Sequence, residues 1–269
     1  MTAPLAGRTV LVTRPQQQAA ALSQAIRAAG GDVFDFPALV IEAVPLDELS
    51  ASLDQFSASL DELSASHAQL EAADIVIFIS PNAAQFGMAA IQAVGSLSAS
   101  TEIFAVGPGT TRVLRDLGVL QVITPQGQDS EALLALPQLQ HVAGKRVVIV
   151  RGVGGRAVLS DTLTTRGAEV HFLECYRRCC PQADVAPLLS RLQIGGIDAV
   201  TITSAEALHN LAGLLGEAGV PLLANTPLFA PHEKIAEAAR RFGIAQVIAT
   251  PGGDAGLVDG LINWFGNTR

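Results

Sequence analysis

Arg14, Arg151 and Arg156 stand in short loops that also carry glycine or hydroxyl residues: Thr13-Arg14-Pro15 and Arg151-Gly152-Val153-Gly154-Gly155-Arg156. Ser80-Pro81-Asn82-Ala83, Gly107-Pro108-Gly109-Thr110 and Thr203-Ser204-Ala205-Glu206 have a similar small, polar make-up. Each follows a short apolar run and precedes a segment of helical periodicity. Free backbone N–H groups at a helix start favour anions. Such loops, with guanidinium groups among them, suit carboxylate or phosphate ligands. Ordinary helix capping explains any one of them equally well. Taken together, Gly-Val-Gly-Gly and Gly-Pro-Gly exceed what capping needs.

A second group surrounds the only tyrosine. Leu173-Glu174-Cys175-Tyr176-Arg177-Arg178 puts Tyr176 just beyond a strand and beside two arginines. A phenol there could donate a proton or a strong hydrogen bond to a departing oxygen. An interfacial tyrosine with a satisfied hydroxyl fits the same residues.

Other chemistries find little support. Arg112 and Ala157 stand where the third glycine of a dinucleotide fingerprint belongs, after Gly107-Pro108-Gly109 and Gly152-Val153-Gly154 respectively, and neither loop has a P-loop lysine. There is no local Ser–His–Asp or Cys–His signature, and His209 and His232 read as surface or capping residues. The three cysteines, Cys175, Cys179 and Cys180, crowd into six positions, a poor disulfide framework. His171 lacks a paired ligand at zinc-finger spacing. Reduced thiols and no metal are expected.

Hydrophobic residues make up 49% of the 269-residue chain and aromatics only 4%, so its cores should be aliphatic. A net charge of -8 argues against nucleic acid as a partner but leaves a polyanionic ligand to the local field of a site. The first residues lack a basic stretch followed by an apolar one, and no apolar run approaches the ~18 residues of a membrane span. A cytoplasmic protein without membrane association is expected.

The elements that must position these loops alternate. Thr9–Thr13, Asp74–Ile79, Glu102–Val106, Lys145–Val150, Val170–Leu173, Asp198–Thr203 and Ala245–Ala249 read as short β-branched strands. Gln16–Ala29, Ala83–Val94, Thr110–Leu117, Arg156–Arg166, Ala205–Leu215 and Glu233–Arg241 read as helices. Alternation of this kind predicts an α/β fold with parallel sheets.

Three blocks occur twice. Val10–Arg14 matches Val147–Arg151, Asp74–Ser80 matches Asp198–Ser204, and Phe104-Ala105 with Gly118–Ile123 matches Phe229-Ala230 with Gly243–Ile248. The offset is 137 for the first block and 124–125 for the others, so the first copy carries about a dozen extra residues. They coincide with a heptad stretch over about 46–72, in which Leu46, Leu49, Leu53, Phe56, Leu60, Leu63 and Leu70 form a 3-4 stripe that also takes in His67. The residues flanking the stripe are mostly Ser, so a helix packing on its own domain is favoured, with self-association left open.

The ordered motifs resemble the uroporphyrinogen-III synthase family nearly end to end. Val-Thr-Arg-Pro at 12–15, Phe78–Ala83, Ala105–Thr110, Asp129–Leu134, Val150–Arg156, Arg166–Val170, Glu174–Arg178 and Thr201–Ser204 carry the likeness. The resemblance implies two duplicated, Rossmann- or flavodoxin-like parallel-sheet domains joined by a two-stranded connector. One domain would be discontinuous, 1–36 plus 177–269; the other would span 40–172, with connectors at 37–39 and 173–176. The implied activity cyclises hydroxymethylbilane, a linear tetrapyrrole with eight carboxylates, to uroporphyrinogen III, inverting the last ring and losing water, without a cofactor. A monomer and a transient encounter with hydroxymethylbilane synthase fit this picture. Tyr176 then becomes the candidate for assisting departure of the hydroxyl. Arg14, Ser80, Asn82, Gly107, Thr110, Arg151, Gly152, Arg156, Arg177, Thr203 and Ser204 become candidate substrate contacts. The chain departs from the family pattern at Thr203-Ser204-Ala205, where relatives often read Thr-Ser-Pro, and at Ala230–Lys234, which lacks a hydroxyl before its helix. A hinged anion-binding module and a nucleotide-dependent oxidoreductase or transferase are the alternative classes.

Overall fold

The computed structural model describes residues 3–46, 48, 49, 70–127, 129–155 and 157–266. The chain divides into two compact units, Met1–Val40 with Cys179–Arg269, and Ile41–Arg178.

The first unit is built on a sheet ordered β10-β9-β8-β1-β2. Its strands are β1 (Thr9–Val12), β2 (Asp32–Asp35), β8 (Ala199–Thr201), β9 (Leu228–Ala230) and β10 (Val247–Ala249), and every pairing is parallel. Its helices are α1 (Gln16–Ala28), α6 (Ala186–Gln193), α7 (Ala205–Ala224), α8 (Glu233–Phe242) and α9 (Gly253–Gly266). The apolar Val-Leu-Val of β1 is fully buried. Leu11 meets Leu208, Leu211 and Leu215 of α7 on one face; Val10 and Val12 meet Leu22, Ile26 and Leu257 on the other.

The second unit holds the sheet β3-β7-β6-β4-β5. Its strands are β3 (Val40–Ala43), β4 (Ile75–Phe78), β5 (Glu102–Ala105), β6 (Arg146–Gly152) and β7 (Glu169–Cys179); β4 pairs in parallel with β5 and β6, and β6 with β7. Its helices are α2 (Pro81–Val94), α3 (Pro108–Asp116), α4 (Ser130–Leu134) and α5 (Val158–Thr165). All four residues of β4 are buried, as a central parallel strand requires. Leu49 and Leu70 of the heptad stripe are buried in this unit's core, while Leu46 is 46% exposed. Leu53, Phe56, Leu60, Leu63 and His67 lie outside the described residues.

The structure differs from the sequence-based expectation in identifiable places. Periodicity does not announce β2, β3 or β9: β2 is an edge strand reading Asp-Val-Phe-Asp with no fully buried residue, and β9 has only three residues. β7 extends to Cys179, well past Leu173, because Glu174, Arg177 and Arg178 interrupt its apolar residues and mask the run. The helix expected to stop at Leu215 continues to Ala224 after a break at Gly216 (φ 60°, ψ -167°). α9 escapes sequence reading because Gly-Gly-Asp-Ala-Gly resembles a loop. Its glycines serve close packing instead: a Cβ on Gly256 would stand 2.1 Å from the Pro251 carbonyl oxygen, and one on Gly260 2.5 Å from Thr250 Cγ2. Among the described residues, no helix is long and apolar enough to cross a membrane.

Candidate active site

Parallel strands deliver their following loops to one edge. In the second unit, the order β7-β6-β4-β5 sets Tyr176, Gly152, Ser80 and Gly107 at the carboxyl ends of neighbouring strands. Ser80 caps α2 by accepting a hydrogen bond from Ala83 N–H at 3.0 Å. Its hydroxyl is also 3.2 Å from the Tyr176 hydroxyl. The phenol therefore sits at the positive end of a helix, bonded to the residue that caps it. Only 3% of Tyr176 remains exposed, and the ring of Phe86 lies 5.7 Å away.

A bulge aims the phenol there. Arg151 pairs with Glu174 but Gly152 pairs with Tyr176, so Cys175 is an extra residue in β7. Val170 and Phe172 pack with one core of the unit, and Leu173 and Cys175 with the other. Strict alternation would send Tyr176 after Phe172. The extra residue reverses the alternation and turns Tyr176 to the same side as Cys175, toward α2. Arg178, two residues on, follows Tyr176 into the lining of a small cavity of about 130 Å³, together with Ile79 and the Gly152–Gly155 loop. Arg177 points elsewhere and forms an ion pair with Glu48 at 2.5 Å.

Gly152 is the close neighbour of the phenol. A Cβ at this position would lie 2.6 Å from Tyr176 Cε2 and 2.7 Å from Cζ, so only glycine leaves the ring its place. Val153 N–H then donates to the Tyr176 carbonyl at 2.8 Å, fixing the start of the loop on β7. Arg151 is 8% exposed, its guanidinium 4.6 Å above the Phe172 ring and its Nε 3.3 Å from Glu174 Oε1. It is thus engaged inside the unit rather than extended toward solvent. Arg156 lies outside the described residues.

Gly107 is the N-cap of α3 and Thr110, 2% exposed, sits in its first turn. That turn adjoins α2: a Cβ on Gly109 would be 3.6 Å from Pro81 Cγ. Asn82 is in the first turn of α2, half-buried. In the first unit, Ser204 caps α7 by accepting from Ala207 N–H at 3.0 Å, repeating the Ser80 arrangement, with Thr203 preceding it. Arg14, after the neighbouring strand β1, is paired with Asp254 at 2.5 Å. The candidates therefore fall into two groups, one on each unit's sheet edge. Sequence reasoning missed Arg178 and Glu174. Period-2 spacing from Tyr176 identifies Arg178; Glu174 had no comparable signal.

Cys175 is not a nucleophile. Its thiol, 1% exposed, lies 3.4 Å from the Arg151 carbonyl oxygen, and burial pushes its pKa from 9.0 up to about 12. Cys180 is exposed. At pH 8 a thiol reagent is expected to modify Cys180 readily and Cys175 only after unfolding, as peptide mapping of the labelled protein would show. As pH rises from 9.0 toward 12, the unfolded chain ionises this thiol and the folded chain does not, so its contribution lowers stability across that window.

The family model described as "Uroporphyrinogen-III synthase HemD" matches residues 20–259. The uroporphyrinogen-III synthase of Salmonella typhimurium is 34% identical over 238 residues, covering 87% of this chain and 92% of that protein. The Escherichia coli uroporphyrinogen-III synthase is 33% identical, with the same 87% and 92% coverage. Among solved structures, a mutant uroporphyrinogen III synthase from Thermus thermophilus gives a TM-score of 0.59 at 19% identity, covering 97% of this chain and 100% of that chain. The uroporphyrinogen-III synthetase of Helicobacter pylori gives 0.55 at 14% identity, covering 97% and 100%. At such identities the structural likeness speaks for the fold. The sequence matches, which run through the Ser80, Gly152 and Tyr176 segments, speak for kinship: this chain belongs to the uroporphyrinogen-III synthase family.

Proposed function

We propose that this chain closes hydroxymethylbilane to uroporphyrinogen III, as a cyclising hydro-lyase of porphyrin biosynthesis, with Tyr176 assisting departure of the hydroxyl. The observation that carries the residue assignment is the buried Tyr176 hydroxyl, 3.2 Å from Ser80 at the start of α2 and beside a glycine-walled cavity. In this reading the terminal C–O bond breaks and the oxygen leaves as water, taking a proton supplied through the phenol. The cation-like carbon left behind bonds to the substituted position of the last ring. The bond from that position to the third ring's bridging carbon breaks and re-forms at the free position, which loses its proton, so that the ring is inverted and the net loss is one water. Orienting that encounter is the main task, because the free bilane can close without inversion.

The eight carboxylates of the substrate call for several donors. Arg178 and the backbone of Gly152–Gly155 are proposed contacts in the second unit, with Asn82, Gly107, Thr110, Arg156 and Arg177 as further candidates. Arg14, Thr203 and Ser204 are the candidates in the first. Duplication of one ancestral unit, with exchange of its first strand–helix–strand segment, accounts for the repeated blocks. It is supported by the matching strand orders β2-β1-β8-β9 and β7-β6-β4-β5, in which matched blocks occupy matched places. A cytoplasmic location follows from the proposed pathway.

A coupled assay tests the activity. Porphobilinogen and hydroxymethylbilane synthase generate the bilane in situ, and the oxidised porphyrins are separated by isomer. Type III product that depends on this chain is the expected result; type I alone, from a folded sample, removes the proposal.

A further inference from the structure

The Gly152–Gly155 loop should be hard to hold still. Gly154 and Gly155 occupy positive φ (74° and 127°), and glycine loses more backbone freedom on ordering than any other residue. After Val153 the chain leaves β7, and 153–155 are exposed. Yet this loop walls the cavity against which the Tyr176 ring rests. One carboxylate holds it. Glu174 Oε1 accepts from Gly154 N–H at 3.3 Å and lies 3.3 Å from Arg151 Nε. Arg151 Nε in turn donates to the Gly152 carbonyl at 3.3 Å, and its guanidinium is fixed over Phe172. The strand, the buried arginine and the loop thus meet at a single oxygen, on the residue just before the bulge.

We propose that Glu174 is a positioning residue for the reaction: it braces the glycine loop, through Gly154 and Arg151, in the shape that keeps Tyr176 and the cavity aligned. The charge has a use in that role, as the acceptor that Gly154 and Arg151 share. A carboxylate whose side chain is 26% exposed beside this cavity repels a polyanionic substrate, so its direct effect on binding is unfavourable. It also occupies Arg151, which is therefore part of the brace and not a substrate contact. The inference rests on the proposed function for its activity readout, but its structural half stands in the ligand-free protein.

The test compares Glu174→Ala with Glu174→Gln. A glutamine carbonyl can still accept from Gly154 N–H and lie against Arg151 Nε, without the ion pair; alanine does neither. Hydrogen–deuterium exchange over residues 151–155, measured without ligand, is expected to quicken in E174A and to stay near wild type in E174Q. In the coupled assay kcat/KM should fall about 10–100-fold in E174A, the scale of a small misplacement of reacting groups, and stay within about threefold in E174Q. If E174A does not fold, Glu174→Asp, one methylene shorter, should show the same quickened exchange. Unchanged exchange in the alanine or aspartate variant overturns the inference. So does equal activity of E174A and E174Q, including a lower KM in both, which would mean that Glu174 acts through charge alone. The failure of the Tyr176 reading looks different: Y176F would keep its turnover while E174A still loosened the loop.

Discussion

Tyr176→Phe should lower kcat by about 10²–10⁴-fold, the usual contribution of a general acid, while KM changes little. Phenylalanine fills the same buried space against Phe86 and Gly152, so the pocket keeps its shape. The variant removes one hydroxyl. Ser80 loses that neighbour, but its oxygen keeps the Ala83 N–H it accepts from. The stability cost should therefore be only about 0.5–1.5 kcal/mol, the net worth of one hydrogen bond. Isomer-resolved turnover and urea denaturation on the same preparation separate the two effects. Turnover within about threefold of wild type would remove Tyr176 from the chemistry.

Gly152→Ala is expected to be damaging for a different reason. Its Cβ would fall 2.6 Å from the Tyr176 ring, closer than real Cβ atoms approach anything. The ring is buried and cannot retreat freely, so either it tilts away from Ser80 or β6 shifts. Overpacking of this kind costs about 1–3 kcal/mol. Moving the hydroxyl by about 1 Å can cost on the order of 10²-fold in rate. Gly144→Ala, in the turn before β6, is the control: its Cβ meets nothing within 4 Å among the described residues, but its φ of 74° strains any other residue. It should destabilise by about 1 kcal/mol and lower activity far less. In a Tyr176→Phe background, Gly152→Ala still collides with the ring and still costs stability. It should add little further loss of turnover, because the two changes remove the same hydroxyl from its place.

What the sequence made legible was the part governed by composition and period. Buried parallel strands such as Ile75–Phe78 and Val147–Val150 stand out because β-branched runs have few other uses. Ser80 and Ser204 stand out because a hydroxyl before a helix has an obvious partner in its third residue. The bulge was not legible. Nothing in Glu174-Cys175-Tyr176 announces that one residue will be skipped, and the skip decides which core the phenol faces. Sequence reasoning favours Arg177 over Arg178 for the same reason: facing is a matter of register, which neighbouring strands set. The brace formed by Glu174 joins residues whose relation exists only after β6 and β7 pair. α9 was hidden by glycines, which suit turns by their freedom and tight packing by their lack of a side chain.

The first unit is assembled from the two ends of the chain. β1 lies between β2 and β8, so one flank of the first strand waits for a partner far along the chain. Thr13 Oγ1 donates to the Thr201 carbonyl at 2.7 Å across 188 residues of sequence. At a synthesis rate of about 5–20 residues per second, that gap is about 10–40 s. Throughout it, Val10, Leu11 and Val12 have a parallel neighbour on one side only, while the whole of Ile41–Arg178 emerges and has time to collapse. The earliest-made strand is therefore among the last to be completed. On a ribosome the vulnerable species is a nascent chain with a finished middle and an open beginning.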